Sequence, residues 1–135
     1  MAKLTAETES NLWAAAEAAA AQSYAPYSGF FVGAALLTSE GEMVSGCNVE
    51  NASYGLTNCA ERTAVFRAIA EGKLSKGISI EAIAVVNRDH QSCSPCGACR
   101  QVLAEFGVHA IVLYELDGVR KQTAVSALLP ESFQL

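Results

Sequence analysis

Ile80-Glu81-Ala82-Ile83-Ala84-Val85-Val86, then Ser94-Pro95-Cys96-Gly97-Ala98-Cys99-Arg100-Gln101-Val102-Leu103, and after Gly107 the run His109-Ala110-Ile111-Val112-Leu113-Tyr114, is the stretch that decides the fold. The first run is apolar and of strand length. The second opens on Ser94 as a cap with Pro95 at the first helical position and ends at Gly107, which places Cys96 in the first turn of a helix. The third reads as another strand. Strands and helices in such alternation point to an α/β architecture.

Working outward, Asp117-Gly118 is a hairpin turn, and residues 119–125 are expected to pair with the strand before it. A short tail through Phe133 follows. Upstream, residues 59–71 carry an apolar face of Ala60, Ala64, Val65, Ala68 and Ile69 and stop at Gly72, so Cys59 is expected at a helix N-terminus. Residues 31–38 and 43–47 read as strands joined by Ser39-Glu40-Gly41-Glu42. Residues 23–29 and 52–58 read as loops. Thr5 is expected to cap a first helix running to about Gln22. Its stretch 14–21 is apolar on nearly every face apart from Glu17, more than one buried stripe hides, which hints at burial between subunits. The expectation is a three-layer α/β/α sandwich around one mixed five-stranded sheet, a single domain over residues 1–135.

With 135 residues, 51% of them hydrophobic, the chain can bury one ordinary core but not two independent ones. No apolar run approaches the roughly 20 residues that a membrane-spanning helix needs, so a soluble, cytoplasmic protein is expected, with no membrane partner. A net charge of -5 and a pI near 4.9 leave no basic surface to neutralise phosphates, which disfavours a nucleic acid. The five cysteines are odd in number. Without an export signal they argue for thiolates in metal binding or catalysis rather than a disulfide framework.

Cys59-Ala60-Glu61 and Pro95-Cys96-Gly97-Ala98-Cys99 supply three thiols from two helix starts and a carboxylate beside the first of them. Three protein ligands leave the fourth position of tetrahedral zinc open to water, which becomes a usable hydroxide near neutral pH. Three thiolates on Zn2+ carry a formal excess of negative charge. The helix dipoles offset part of it, and Arg62, ahead of Arg100, is expected to donate further hydrogen bonds. Glu61, beside but not on the metal, is the expected proton shuttle.

These residues resemble the nucleoside form of the H-x-E…P-C-x-x-C signature of zinc deaminases, with cysteine as first ligand. More of the chain, from about Tyr24 to Phe133, is similar to small homotetrameric cytidine deaminases: Tyr24-Ala25-Pro26-Tyr27-Ser28, Val32-Gly33-Ala34-Ala35-Leu36, Gly46-Cys47-Asn48-Val49-Glu50-Asn51 and Cys99-Arg100-Gln101-Val102-Leu103. The resemblance implies the cytidine deaminase-like fold, one zinc per subunit, and hydrolysis of cytidine and deoxycytidine in pyrimidine salvage. It implies that Asn48 and Glu50 hold the ribose hydroxyls, that Phe30 packs near the nucleoside, and that backbone around Cys59 and Ala60 reads the base edge. It also implies a homotetramer whose neighbouring subunits complete each site, with Tyr54 and Phe133 as candidates. Phe31 departs from the residue commoner at its position in that family. No Gly-rich phosphate loop is present, and Glu50 near the sugar would repel a phosphate, so free nucleoside is expected over nucleotide.

Other readings compete. Cys93-Ser94-Pro95-Cys96 is a C-x-x-C pair of the kind used in dithiol redox chemistry. A structural zinc site would need a fourth ligand, and His90 is near enough in sequence to provide it. An aminohydrolase for a modified cytosine nucleoside such as blasticidin S shares the three-cysteine site. Otherwise Cys93 reads as a free loop thiol, Cys47 as a small buried hydrophobe, and His109 as a solvated or satisfied side chain.

Overall fold

The computed structural model describes residues 4–135, so positions 1–3 of the expected domain lie outside the described residues. The strands are β1 (Val32–Thr38), β2 (Met43–Cys47), β3 (Ile80–Asn87), β4 (Ile111–Leu116) and β5 (Val119–Ala124). They form one five-stranded sheet in the order β2-β1-β3-β4-β5. Only the β3/β4 pair is parallel, so the sheet is mixed, as expected. The helix that crosses between those strands is α3 (Gly97–Gly107); α1 (Ala6–Ala20), α2 (Ala60–Ala70) and a short α4 (Val125–Leu128) complete the helices.

Alternation along the strands separates two cores. Ala34, Leu36, Ile83, Val85 and Val112 meet Ala64, Val65 and Ala68 of α2 and Leu103 and Ala104 of α3. The opposite face sends Ala35, Leu37, Ala82, Ala84 and Leu113 against Leu12, Trp13 and Ala16 of α1. Every residue of β1 is buried, which is why that strand reads as a continuous apolar run. Each fully buried Leu, Ile or Val contributes about 1.5–3 kcal/mol relative to exposure.

Two glycines set how closely the helices approach. A Cβ on Gly33 would lie 1.9 Å from the Ala16 carbonyl oxygen, and one on Gly46 would lie 2.4 Å from the Ala64 nitrogen. Helix backbone therefore rests directly on strand backbone at both places, α1 on one face and α2 on the other.

Several boundaries shift from the sequence reading. Thr5 does cap α1, its Oγ1 accepting from the Thr8 N–H at 3.1 Å, but the helix ends at Ala20. Its Leu12, Trp13, Ala16, Ala19 and Ala20 are buried by its own chain, while Ala14 and Ala18 are exposed. The cap of α3 is Cys96, not Ser94, because the Cys96 carbonyl is the one that accepts the first helical bond, from Arg100 N–H at 3.0 Å. β5 ends at Ala124 because Val125 N–H turns to the Ala110 carbonyl at 2.9 Å and starts α4, which had no sequence signal. A 3-10 turn at Tyr54–Leu56 likewise lies inside an expected loop. Asp117 (φ 51°) and Gly118 (φ 77°) form the expected tight hairpin turn.

Candidate active site

Cys59 caps α2 and Cys96 caps α3, each with extended backbone. Cys99 lies in the first turn of α3 and is fully buried. The three Sγ atoms lie within 4.8 Å of one another, and the Cys59–Cys96 pair is 3.8 Å apart. Thiolates about 2.3 Å from a common tetrahedral centre are about 3.8 Å apart, so the Cys59–Cys96 separation is that of a zinc site and Cys99 lies near enough to complete the set. Cys96 is exposed and Cys59 half-buried, so the cluster is walled by protein on the Cys99 side and open on the other.

Arg62 Nη2 donates to Cys59 Sγ at 3.2 Å. Arg100 is engaged elsewhere, Nε with the Pro95 carbonyl at 2.7 Å and Nη1 with the Leu128 carbonyl at 3.0 Å. Of the two arginines, Arg62 is the one that reaches a thiol, and Arg100 instead ties the start of α3 to α4. The neighbouring Cys99 thiol, with Arg62 and Cys96, holds Cys59 down at about 5 against the effect of burial. Cys99 is pushed up, first by the Cys59 thiolate beside it and then by burial. The Arg62 guanidinium is raised by the same thiolate.

Glu61 is only 4% exposed. Burial pushes its carboxyl up to about 7, helped by the Cys59 charge and opposed by its own backbone N–H and by Arg62. A carboxyl that exchanges a proton near neutrality, two residues from a metal ligand, is suited to move protons at the metal. Ala60 is fully buried, and at the first turn of α2 its N–H lacks an intrahelical partner.

The sugar candidates gather on a neighbouring segment. Val49 forms a bridge with Asn58, N–H to carbonyl at 3.0 and 2.9 Å in the two directions, which ties the Asn48–Glu50 segment to the residue before Cys59. Asn48, 8% exposed, accepts from Val32 N–H at 2.9 Å and donates to the Phe30 carbonyl at 2.8 Å, so half of its amide's hydrogen-bonding capacity is spent on holding the entry to β1. Phe30 packs, partly buried, against the larger core. Glu50 and Tyr54 line a cavity of about 390 Å3 with Tyr27, Ser28 and Thr57. The Tyr27 and Tyr54 rings meet edge to face, centroids 6.0 Å apart. Phe133 is 71% exposed; its carbonyl accepts from Gln101 of α3 at 3.2 Å, and it does not line that cavity. Sequence reasoning missed Ser28 and Thr57, because nothing local pairs Ser28 with a partner in another loop.

The competing readings lose their footing. Cys93 is a free thiol on the loop between β3 and α3, but it is buried, and burial pushes it up to about 12, the opposite of a redox nucleophile. Cys47 is only half-buried in β2. His90 Nδ1 is 3.0 Å from Glu115 Oε1 and does not join the three thiols. His109 lines a larger cavity of about 690 Å3 with Ile80 and Gly107, at the end of β3 far from the loop to Cys96. Arg88 covers the Phe31 ring at 3.9 Å.

The family model for the cytidine and deoxycytidylate deaminase zinc-binding region matches residues 6–115. The chain belongs to this deaminase family. A cytidine deaminase of Sporosarcina psychrophila is 50% identical over 114 residues, covering 83% of this chain and 81% of its own. A crystal structure of cytidine deaminase from Burkholderia pseudomallei superposes with a TM-score of 0.83 at 48% identity, covering 96% of this chain and 100% of its own. A blasticidin-S deaminase of Bacillus cereus is 32% identical over 104 residues, covering 73% of this chain and 74% of its own. In this zinc-binding deaminase Cys59, Cys96 and Cys99 are positioned to hold the metal. No helix among the described residues is long and apolar enough to cross a membrane.

Proposed function

We propose that the chain is a single catalytic domain that hydrolyses free cytidine and deoxycytidine to uridine or deoxyuridine and ammonia. The observation that carries this reading is three thiols spaced for zinc at two helix starts, with the buried carboxyl of Glu61 two residues on from the first of them. Zinc, when bound, supplies the Lewis acidity that makes a water nucleophilic at neutral pH. Glu61 would take one proton from the attacking water as its oxygen adds to C4 and hand it to the ring nitrogen, then take the second proton from the new C4 hydroxyl and hand it to the departing amine, so that it ends without net change. The C4–N bond breaks, the C4–O bond forms, and ammonia leaves.

Cys59, Cys96 and Cys99 bind the metal, and Arg62 offsets their charge. Backbone at Cys59 and Ala60 reads the base edge, Asn48 and Glu50 take the sugar, and Phe30 packs beside it. Glu50 is kept ionised, chiefly by the Ser28 hydroxyl, and its charge disfavours a phosphate on the substrate. A homotetramer with Tyr54 and Phe133 completing neighbouring sites accords with the exposure of Tyr27, Tyr54, Leu56, Phe66 and Phe133. A cytoplasmic role in pyrimidine salvage fits this chemistry. Light scattering tests the assembly: a mass of four chains is expected, and a monomer overturns it.

Turnover of cytidine, deoxycytidine and blasticidin S, followed by ultraviolet absorbance and ammonia release, tests the substrate. Both natural nucleosides should be consumed in preference to blasticidin S. A preference for blasticidin S would reassign the substrate, and no ammonia from any of the three would refute the reaction class.

A further inference from the structure

Glu50 is gripped by a single turn. Its Oε1 accepts the N–H groups of Tyr27 at 2.9 Å and Ser28 at 3.1 Å, and its Oε2 accepts the Ser28 hydroxyl. Ser28 Oγ in turn accepts the Phe30 N–H at 3.0 Å. The turn is shaped by Gly29, whose φ of 67° is left-handed and whose N–H reaches the Ala25 carbonyl at 3.0 Å.

Counting donors and acceptors fixes what this arrangement can still bind. A serine hydroxyl has one proton to give, and here it goes to Glu50, so Ser28 has none for a ligand. A carboxylate oxygen has about two acceptor sites. Both are filled on Oε1, and one remains on Oε2, in a carboxylate that lines the cavity with Tyr27, Ser28, Tyr54 and Thr57. The terminal torsion of a glutamate is intrinsically soft. The backbone donors anchor one oxygen only, and the Ser28 hydroxyl pins the other.

We infer that Ser28 is a positioning residue for substrate binding: its hydroxyl orients Oε2 of Glu50 so that the single remaining acceptor site takes one sugar hydroxyl. The inference rests on the proposed role of Glu50 in sugar binding. Losing the Ser28 hydroxyl leaves the charge in place but lets Oε2 swing or take up water instead. The consequence is weaker binding of substrates that carry the hydroxyl, with little effect on the chemical step.

The test compares cytidine with 2′,3′-dideoxycytidine, which lacks both ring hydroxyls, on the wild-type zinc enzyme and on Ser28→Ala, Ser28→Thr and Glu50→Gln. Ser28→Ala should lower kcat/KM for cytidine about tenfold, mainly through KM, and shrink the preference for cytidine over the dideoxy substrate. Ser28→Thr, which keeps a hydroxyl, should restore that preference, and zinc content and Tm should match wild type throughout. Equal loss on both substrates, or no loss on cytidine, overturns the inference. If Glu50→Gln abolishes the preference while Ser28→Ala preserves it, only the role of Ser28 falls. If Glu50→Gln preserves it, the sugar role of Glu50 falls and that of Ser28 with it.

Discussion

On one face of the sheet α1 rests its backbone on Gly33; on the other α2 rests its backbone on Gly46. The packing device is the same, yet α1 buries Leu12, Trp13 and Ala16 and pairs its exposed Glu17 with Arg120 at 3.4 Å, whereas α2 carries Cys59 at its start and the buried Glu61 in its first turn, where the thiols are spaced for a metal. What differs is the company at the helix start. The N-terminus of α1 stands alone on its face, while those of α2 and α3 converge until Cys59 and Cys96 are 3.8 Å apart. Two positive dipole ends and Arg62 then favour a thiolate at Cys59 that one helix end would hold poorly. Chemistry in this fold belongs to the place where two helix starts meet, and packing alone accounts for the opposite face.

The contrast can be broken most severely by removing a ligand. Cys99→Ala should shed zinc, lose turnover and lower the Tm, since metal binding and folding are coupled; metal analysis showing a full complement of zinc would contradict the assignment. Glu61→Gln should separate chemistry from structure: kcat falls about 10²–10⁴-fold, while zinc per chain and Tm hold. Substantial residual turnover would remove Glu61 from the proton path.

Methyl groups placed in the two helix contacts sharpen the comparison itself. Gly33→Ala and Gly46→Ala should each destabilise by about 1–3 kcal/mol in urea titration, because neither backbone contact has room for a Cβ. Only Gly46→Ala should also lower zinc retention and turnover per folded molecule. An equal functional loss in both would erase the distinction between the faces.

The smallest effect concerns His90, whose pKa is raised by its hydrogen bond with Glu115. A raised folded-state value means that its stabilising contribution is fully present below the unfolded value of about 6.5 and fades as pH rises through the folded one. His90→Asn, which tolerates the left-handed backbone there (φ 58°), should therefore lower Tm by about 1 °C at acidic pH and less at alkaline pH. The side chain is half exposed, so solvent keeps the effect small. A Tm difference that grows toward alkaline pH would reverse the sign of the argument.

The layering and the ligand set were legible in the sequence for different reasons. Continuous apolar runs of strand length such as 80–86 and the stops at Gly72 and Gly107 mark strands and helix ends through local physics. Cys59, Cys96 and Cys99 were legible through spacing and family likeness. Asn48 and Glu50 came only through that likeness, and their roles remain proposals. What escaped depends on contacts across the chain. The cap moved from Ser94 to Cys96 because carbonyl pairing, not residue preference, decided it. Cys93 proved buried because its backbone N–H bonds to the Glu115 carbonyl at 2.9 Å, beyond the reach of any local pattern. Gly33 and Gly46 carried a signal, since a glycine inside a strand marks close approach, but not the identity of what approaches.

Turnover measured against zinc content in one preparation goes to the heart of the matter. The purified chain is stripped with a chelator, zinc is restored in steps, and cytidine consumption is read alongside metal per chain. Activity should rise in proportion to zinc and level off at one zinc per chain, the stoichiometry that three clustered thiols allow. Cytidine turnover that ignores zinc, or a fully loaded chain that leaves cytidine untouched, would contradict the assignment of Cys59, Cys96, Cys99 and Glu61 to a deaminase centre.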